Sequence, residues 1–174
     1  GQEQGLGLTS IVFPRNQVAK PYLQICAKYG IECYRGNAIK FFEQPKNKFQ
    51  RYKNRILRLL DTYLNIRNDT TISYEAIDCL ERPVNVPASR FLKPYSKRFA
   101  FLEGLKFHRI KSEIKYAAKH DKLYHLWWHP HNFGDNVEKN LLDLEKILQC
   151  YDECHKKHGM QSYTMTEFAS ELKK

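Results

Sequence analysis

The stretch SIVFPRNQVAKPYLQICAKYGIECYRG, residues 10–36, decides the fold class. Its first apolar run, residues 10–13, is closed by a proline and predicts a short buried strand. The next apolar residues recur at helical spacing, with Pro21 suited to a first helical turn and Gly30 suited to a stop. Residues 31–34 predict a second strand. This order is typical of a βαβ unit, which implies a parallel sheet with a right-handed crossover.

The rest of the chain continues the alternation of strands and helices. Helical spacing predicts helices over residues 50–64, 103–120 and 137–158, followed by a short terminal helix. Strand-like segments are residues 84–92, which Pro87 interrupts, and residues 122–128 and 161–163. We therefore expect an α/β fold, a parallel sheet with flanking helices, in a single domain spanning residues 1–174.

The last third of the chain carries the clearest helix signals. Asp135 with Glu138, and Thr164 with Glu167, have the spacing of capping pairs at helix N-termini. Gly159 is suited to end the longer helix. We predict that one stripe of this helix is buried, namely Leu141, Leu144, Leu148 and Tyr151.

The net charge of +10 is concentrated in residues 46–58 and 93–119. Such a field can attract nucleic acid, anionic lipid or acidic saccharide, although a solvated helix face is the simpler interpretation. Aromatic residues interleaved with cations favour a second hypothesis, binding of single-stranded nucleic acid, through Tyr34, Phe41, Phe42, Phe49 and Tyr52. No apolar run approaches the ~20 residues that a membrane span requires.

The five cysteines do not form a paired framework, because their number is odd. Reduced thiols, and an N-terminus without the features of a signal peptide, favour a cytoplasmic location. Cys150, Cys154 and His158 recur every four residues and could suggest zinc. Three ligands in a row on one helix cannot close a tetrahedron without a fourth ligand from elsewhere, so packing is the favoured interpretation.

The segment HLWWHPHNF, residues 125–133, is the candidate site. On a strand, Leu126 and Trp128 share one face, which suits the core, and His125, Trp127 and His129 share the other. Ligands bind at the C-terminal ends of strands in parallel α/β folds, and His129 lies at such an end. It is a candidate general acid or base, while Trp127 offers a flat face for a sugar or a base.

A metal site is a competing interpretation of the same histidines. His125 and His129 on one strand are separated by about 13 Å, so they cannot bind one ion. A pair formed by His129 and His131 stays possible. Histidines that are merely structural remain the alternative for each of the three.

Several segments together resemble one enzyme family. LYHLWWHPHNFG and KHGMQSYTMTEFASEL are similar to the C-terminal end of the polysaccharide deacetylase family, carbohydrate esterases that include chitooligosaccharide deacetylases. SIVFPRNQ and YGIECYRG resemble the middle of the branch of that family found with surface-polysaccharide genes, and NVPASRFL resembles the same branch. The likeness touches both ends of the chain and leaves residues 37–82 unmatched. The motifs FPRNQ and HLWWHPHN are fairly specific for this family when they occur together, and each alone is a weak sign of it.

The resemblance implies a deformed (β/α) barrel that removes acetyl groups from a surface or capsular saccharide. In that family a divalent ion, usually zinc, polarises the carbonyl, an arginine orients the base, and a late histidine protonates the leaving group. His129 matches the histidine and Arg15 matches the arginine. Trp127, His131 and Asn132 are the residues expected to contact the saccharide.

The chain departs from the family in one respect that limits its activity. It has no Asp-Asp pair after an apolar strand, so the metal ligands and the catalytic base have no match. We therefore expect an N-terminally truncated domain that binds no metal itself and is inactive alone. An incomplete barrel exposes sheet edges, which favours self-association. A non-catalytic carbohydrate-binding domain and a basic nucleic-acid-binding module remain the alternatives.

Overall fold

The computed structural model describes residues 7–37, 47–64 and 70–172, apart from the side chains of Arg15 and Arg58. The helices of these residues are α1 (Lys20–Lys28), α2 (Lys48–Tyr63), α3 (Glu103–Lys119), α4 (Val137–His158) and α5 (Met165–Glu171). The strands are β1 (Ser10–Ile11), β2 (Cys33–Asn37), β3 (Val84–Ala88), β4 (Arg90–Phe91) and β5 (Leu126–Trp127). The mixed α/β class with parallel strands is confirmed.

The chain divides into two compact units, each assembled from separate segments. The first unit consists of residues 1–38, 72–88 and 161–174, and the second of residues 39–71 and 89–160. This division does not test whether either unit folds independently, so the single domain stays a prediction.

The first unit contains the predicted βαβ unit. Its sheet has the order β1-β2-β3, all parallel, with Ser10 opposite Cys33 and Cys33 opposite Val84. The helix α1 connects β1 to β2, and Gly30 follows it with a φ of 82°, which favours glycine. The predicted strand over residues 10–13 is too long, because a 3₁₀ turn begins at the proline that follows and Val12 is exposed.

Gly36 allows a close approach of side chains within this sheet. The residue lies on β2, and a Cβ atom at this position would overlap the Asn85 side-chain amide on β3. A larger residue here therefore requires the Asn85 side chain to move.

The C-terminal helix α5 completes the first unit. The predicted capping box is confirmed, because the Thr164 hydroxyl accepts from the Glu167 N–H and the Glu167 carboxylate accepts from the Thr164 N–H. Residues 161–163 form no strand, so that prediction is wrong. The helix contributes Phe168 and Ala169 to the buried residues.

The second unit is built around the packing of α3 against α4. Its core consists of Leu92, Phe107, Ile110, Ile114, Ile147, Cys150 and Cys154. The predicted buried stripe of α4 is wrong for Leu141 and Leu148, which are exposed, whereas Leu144 packs against the core as predicted. The inward-facing residues are Asn140, Asp143, Ile147, Cys150 and Cys154, and two of these five are polar, so hydrophobicity alone points to the wrong stripe.

The start of α4 also differs from the sequence-based prediction. Its N-cap is Asn136, with a φ of 104° and no side-chain capping bond, so the predicted capping by Asp135 and Glu138 is wrong. The helix ends at His158, and Gly159 follows it with a φ of 71°, as predicted.

Residues 84–92 form two strands in two sheets, rather than one interrupted strand. The change occurs at Ser89, and Pro87 lies within β3, opposite Gly36. The second sheet pairs β4 with β5 in parallel, and the strand predicted over residues 122–128 is reduced to Leu126–Trp127. Neither sheet closes into a barrel within the described residues.

A buried network of charges joins α2, α3 and β4. Arg90 binds both carboxylate oxygens of Glu113, at 2.6 and 2.7 Å, and Arg109 donates to the same carboxylate at 3.1 Å. The Tyr124 hydroxyl donates to it at 2.8 Å. Arg109 also pairs with the Asp61 carboxylate at 3.1 Å. The carboxylate of Glu113 thus receives donors from three side chains.

The network keeps Glu113 ionised despite its burial. Desolvation raises the pKa of Glu113, but the hydrogen bonds and charge of Arg90, the Tyr124 bond and the charge of Arg109 together lower this pKa below its usual value. Burial and the neighbouring carboxylate raise the pKa of Tyr124, so this hydroxyl stays a donor. The second unit therefore rests on an ionic contact as well as on apolar packing.

Candidate functional site

The carboxyl ends of β4 and β5 meet at one edge of the small second sheet. Phe91 lies opposite Trp127 in the parallel register, and the ladder continues with a hydrogen bond of 2.8 Å from the Leu92 N–H to the Trp127 carbonyl. Lys93 follows Phe91 by two residues, just as His129 follows Trp127. This edge is the position at which parallel sheets present their ligand-binding residues.

The two faces of β5 are used as predicted. Leu126 and Trp128 pack against the core of the second unit. Trp127 is half-buried on the opposite face, where its ring centroid lies 4.6 Å from that of Phe91. The contact between Phe91 and Trp127 creates a small aromatic platform at the strand ends.

His129 borders this platform and is exposed to solvent. Its ring lies edge-on to Trp127, with 5.2 Å between the ring centroids, and 6.1 Å from the ring of Phe91. The His129 carbonyl accepts a hydrogen bond of 3.0 Å from the Asn132 N–H, which fixes the turn that follows. An imidazole in this position is accessible to a ligand lying on the platform.

His131 and Asn132 occupy the 3₁₀ turn Pro130–Phe133. The exposed ring of His131 lies nearly parallel to that of His129, at 17° and 5.1 Å between centroids. Asn132 points its Oδ1 atom inward, and this buried atom accepts no hydrogen bond. A ligand reaches the Asn132 amide oxygen only if the turn moves, so its contact with a saccharide stays a prediction, as does that of His131.

His125 has a structural position at the beginning of β5. Its carbonyl accepts from the N–H groups of Ser89 and Arg90, at 3.0 and 3.2 Å, and its own N–H donates to the Ser89 hydroxyl at 3.0 Å. Within residues 7–37, 47–64 and 70–172, no group of three or more His, Cys, Asp and Glu side chains is placed to hold a metal ion.

Lys93 lies two residues beyond the end of β4, and no sequence motif singled it out. Its Nζ atom lies 5.9 Å from the ring centroid of Tyr63 and 5.8 Å from that of Phe99. Burial and the charge of Lys106 lower the pKa of Lys93, although Glu103 acts in the opposite direction. The sequence predicted one strand over residues 84–92. It therefore did not indicate that Lys93 follows a separate strand, β4.

Asn140 fixes the two loops that carry Lys93 and His129. Its buried side chain accepts a hydrogen bond of 2.7 Å from the Tyr95 N–H and donates one of 3.4 Å to the Phe133 carbonyl. One residue of α4 therefore holds the loop after β4 and the turn after β5. Asn140 lies outside the stripe that the sequence predicted to be buried, so nothing in the sequence indicated this role.

Arg15 lies in the first unit, within the 3₁₀ turn Pro14–Asn16. His129 lies in the second unit, so the prediction that both act at one site stays a prediction. A cation whose side chain is described at this turn is Arg35, which donates from Nε to the Asn16 Oδ1 atom at 3.3 Å. Burial lowers the pKa of Arg35.

The cysteines of α4 serve packing, as the sequence predicted. Cys150 and Cys154 are buried in the core of the second unit, whereas His158 is exposed. Burial raises the pKa of the Cys150 thiol, and the neighbouring Cys154 adds to this effect.

Comparison of this chain with known protein families, with curated proteins and with solved structures finds no match. In the described part of the chain, each helix is too short or too polar to cross a membrane. The functional proposal below therefore depends on the residues at the edge of the second sheet and on the resemblance of the sequence motifs.

Proposed function

We propose that this chain is the acid side of a polysaccharide deacetylase-like active site, in which His129 protonates the leaving group. The observation that carries the proposal is the position of His129, exposed at the carboxyl end of β5 beside the rings of Trp127 and Phe91. Removal of an acetyl group from a sugar leaves an amine or an alkoxide, which must gain a proton. Imidazoles as a class can supply that proton near neutral pH.

The aromatic platform supports a saccharide as the ligand. Trp127 and Phe91 present apolar ring surface next to the proposed acid, and sugar rings pack their C–H faces on such surface. Polar groups at the rim of the platform, among them His131, would orient the hydroxyl groups.

The family's divalent ion does not fit the described residues. They offer no three-ligand group, and the family's Asp/His/His set has no match in the sequence. We therefore derive no step through a metal and propose that residues outside this sequence supply it. On this proposal the two small sheets are parts of a deformed (β/α) barrel that brings Arg15 to the site, in a cytoplasmic enzyme.

Activity of the intact gene product tests the role of His129. The product should release acetate from an acetylated oligosaccharide, and His129→Ala should lower the rate by about 100- to 10,000-fold, the range for loss of a general acid. His108→Ala is the matched control, because His108 is an exposed histidine on α3. Full activity of His129→Ala would exclude His129 as the acid.

A binding measurement distinguishes a deacetylase from a non-catalytic carbohydrate-binding domain. The same oligosaccharide should quench the tryptophan fluorescence of the chain, and Trp127→Ala should remove the binding while His129→Ala retains it. If the intact gene product binds the oligosaccharide but releases no acetate under any metal condition, the catalytic proposal is wrong and the binding domain is favoured.

A further inference from the structure

The helix α2 carries an exposed apolar face in its first three turns. Phe49 is 76% exposed, Tyr52 64%, and both Ile56 and Leu60 40%. These four residues are spaced by three or four positions, so they lie on one side of the helix. The face extends for about 17 Å along the helix axis.

Cations border this face on both sides. At 100° per residue, Lys48 and Arg55 lie along one border and Lys53 along the other, and all three are exposed. Asp61 is the acidic residue of α2, and it is buried and paired with Arg109. The exposed part of α2 is therefore apolar at its centre and positive at its margins.

Contacts of its last turn anchor the helix. The Tyr63 ring contacts Phe99, with centroids 6.0 Å apart, and Arg109 binds the carbonyls of Asp61 and Leu64. These contacts fix α2 to the second unit and leave the face of its first three turns exposed. A partner can thus reach the face without displacing the core.

A neighbouring segment has the same chemistry. The 3₁₀ helix Lys97–Leu102 contributes Phe99 to the contact with Tyr63. In the same segment Phe101 is 80% exposed, and Lys97 and Arg98 are also exposed. Together, α2 and this segment present two highly exposed phenylalanines among basic residues.

We propose that this surface, formed by the first three turns of α2 and by Lys97–Leu102, binds the surface of an anionic lipid bilayer. A helix that lies in a membrane interface buries an apolar face among the acyl chains and extends lysines and arginines from its borders to the headgroups. The arrangement of Phe49, Ile56 and Leu60 between bordering cations fits that geometry. Each basic residue adds attraction to anionic headgroups.

The other occupants of the surface fit it less well. Single-stranded nucleic acid stacks on aromatic rings and places its phosphates over cations, whereas Ile56 and Leu60 form an aliphatic centre in which the described side chains include no cation. A second copy of the chain would bring two faces with cationic borders together, and each copy has a net charge of +10. A negatively charged bilayer satisfies both the apolar centre and the cationic border.

Vesicle sedimentation with the full chain tests the proposal. The probes are vesicles of phosphatidylcholine alone and vesicles that also contain phosphatidylserine. The chain should sediment with the phosphatidylserine vesicles and remain in solution with phosphatidylcholine alone. The proposal is independent of the proposed deacetylase function, because it uses neither His129 nor the aromatic platform.

Three variants separate the apolar and the electrostatic contributions. Phe49→Ser/Ile56→Ser should weaken binding by more than about tenfold, because two apolar side chains no longer enter the bilayer. Lys48→Gln/Lys53→Gln/Arg55→Gln should weaken it by about fivefold per cation. The matched control, Lys119→Gln/Lys139→Gln/Lys157→Gln, removes the same charge from exposed positions on α3 and α4 and should retain most of the binding.

Several outcomes would overturn the proposal. Equal losses for the control and for the α2 charge variant would show attraction by net charge alone. Full binding by Phe49→Ser/Ile56→Ser, with circular dichroism unchanged, would remove the apolar face from the interaction. A single-stranded oligonucleotide that binds at the same ionic strength while vesicles do not would assign the surface to nucleic acid. A dimer that Phe49→Ser/Ile56→Ser converts to a monomer would assign it to a second copy.

Discussion

The two parallel sheets of this chain are stabilised in different ways. In the first sheet the strand β2 lies between β1 and β3, and the small or apolar residues Cys33, Val84 and Val86 are buried. The second sheet has two strands of two residues each, and Arg90 of β4 is bound to Glu113 in a buried ionic network. The first sheet is stabilised by its backbone hydrogen bonds and by close packing. The second sheet is stabilised by the ion pairs of Arg90.

This difference matters for function because the candidate site lies on the shorter sheet. His129 and Lys93 follow the two strands that the network and Asn140 hold in register. A short ladder has few hydrogen bonds of its own, so the position of the site depends on side chains distant from it. Perturbing the network should therefore affect the position of the site as well as the stability of the chain.

Removal of the central carboxylate should have the largest effect. Glu113→Ala leaves Arg90 and Arg109 buried without their shared partner, and we expect a loss of about 3–5 kcal/mol in the free energy of unfolding. Urea denaturation measures this loss. The control is Glu153→Ala, because the pair of Lys115 and Glu153 is exposed and contributes about 0–1 kcal/mol. Similar losses for both variants would contradict the role of the network.

Acid should reproduce part of this effect in the unmodified chain. The pKa of Glu113 is lower in the folded chain than in the unfolded chain, where a glutamate titrates near ~4.3. The stabilisation is therefore complete above the unfolded pKa and is lost as the pH falls through the folded pKa. Above about pH 4 the unmodified chain should have a larger free energy of unfolding than Glu113→Gln, and this difference should shrink as the pH falls below that value. Denaturation at a series of pH values measures the difference. Parallel curves would contradict the prediction.

Crowding of the first sheet should have a smaller effect. In Gly36→Ala the new methyl group meets the Asn85 Oδ1 atom, and we expect a loss of about 1–3 kcal/mol. The additional change Asn85→Ala should restore part of it, because it removes the atom in contact. The control is Gly104→Ala on α3, where nothing lies within 4 Å and alanine favours the helix. Thermal denaturation compares Gly36→Ala, Gly36→Ala/Asn85→Ala and Gly104→Ala. An unchanged midpoint for Gly36→Ala would contradict the prediction.

Loss of the α5 capping box should have the smallest effect. Thr164→Ala removes the acceptor of the Glu167 N–H and should cost about 1 kcal/mol. Ser162→Ala, which lies outside the box, should leave the unfolding free energy unchanged within error. Equal effects of the two substitutions on the denaturation midpoint would show that the box does not stabilise the helix.

Local patterns predicted much of the secondary structure. The strand-helix-strand order of the βαβ unit is confirmed, because apolar spacing and a turn residue at Gly30 are short-range features. The second strand begins at Cys33 and ends at Asn37, rather than spanning the predicted residues 31–34. The bounds of α4 and its glycine cap also agree with the prediction. The capping box of Thr164 and Glu167 agrees for the same reason, since both partners lie within one helical turn.

Predictions that depended on distant partners were less successful. The buried stripe of α4 was partly wrong because Asn140 and Asp143 face inward, where Asn140 binds two loops that are remote in sequence. The division of residues 84–92 between two sheets depends on which strands pair with each half. Lys93 follows a strand of the second sheet only because β4 pairs with β5.

The sequence by itself determined the α/β class, the parallel crossover and the placement of His129 beside Trp127 at the end of a strand, because these follow from spacing along the chain. The tertiary structure decided which strands share a sheet, which face of α4 is buried, and that Lys93 and His129 follow paired strands. Buried ions and amides are stable only with partners from distant segments, and such partners leave no periodic signal in the sequence.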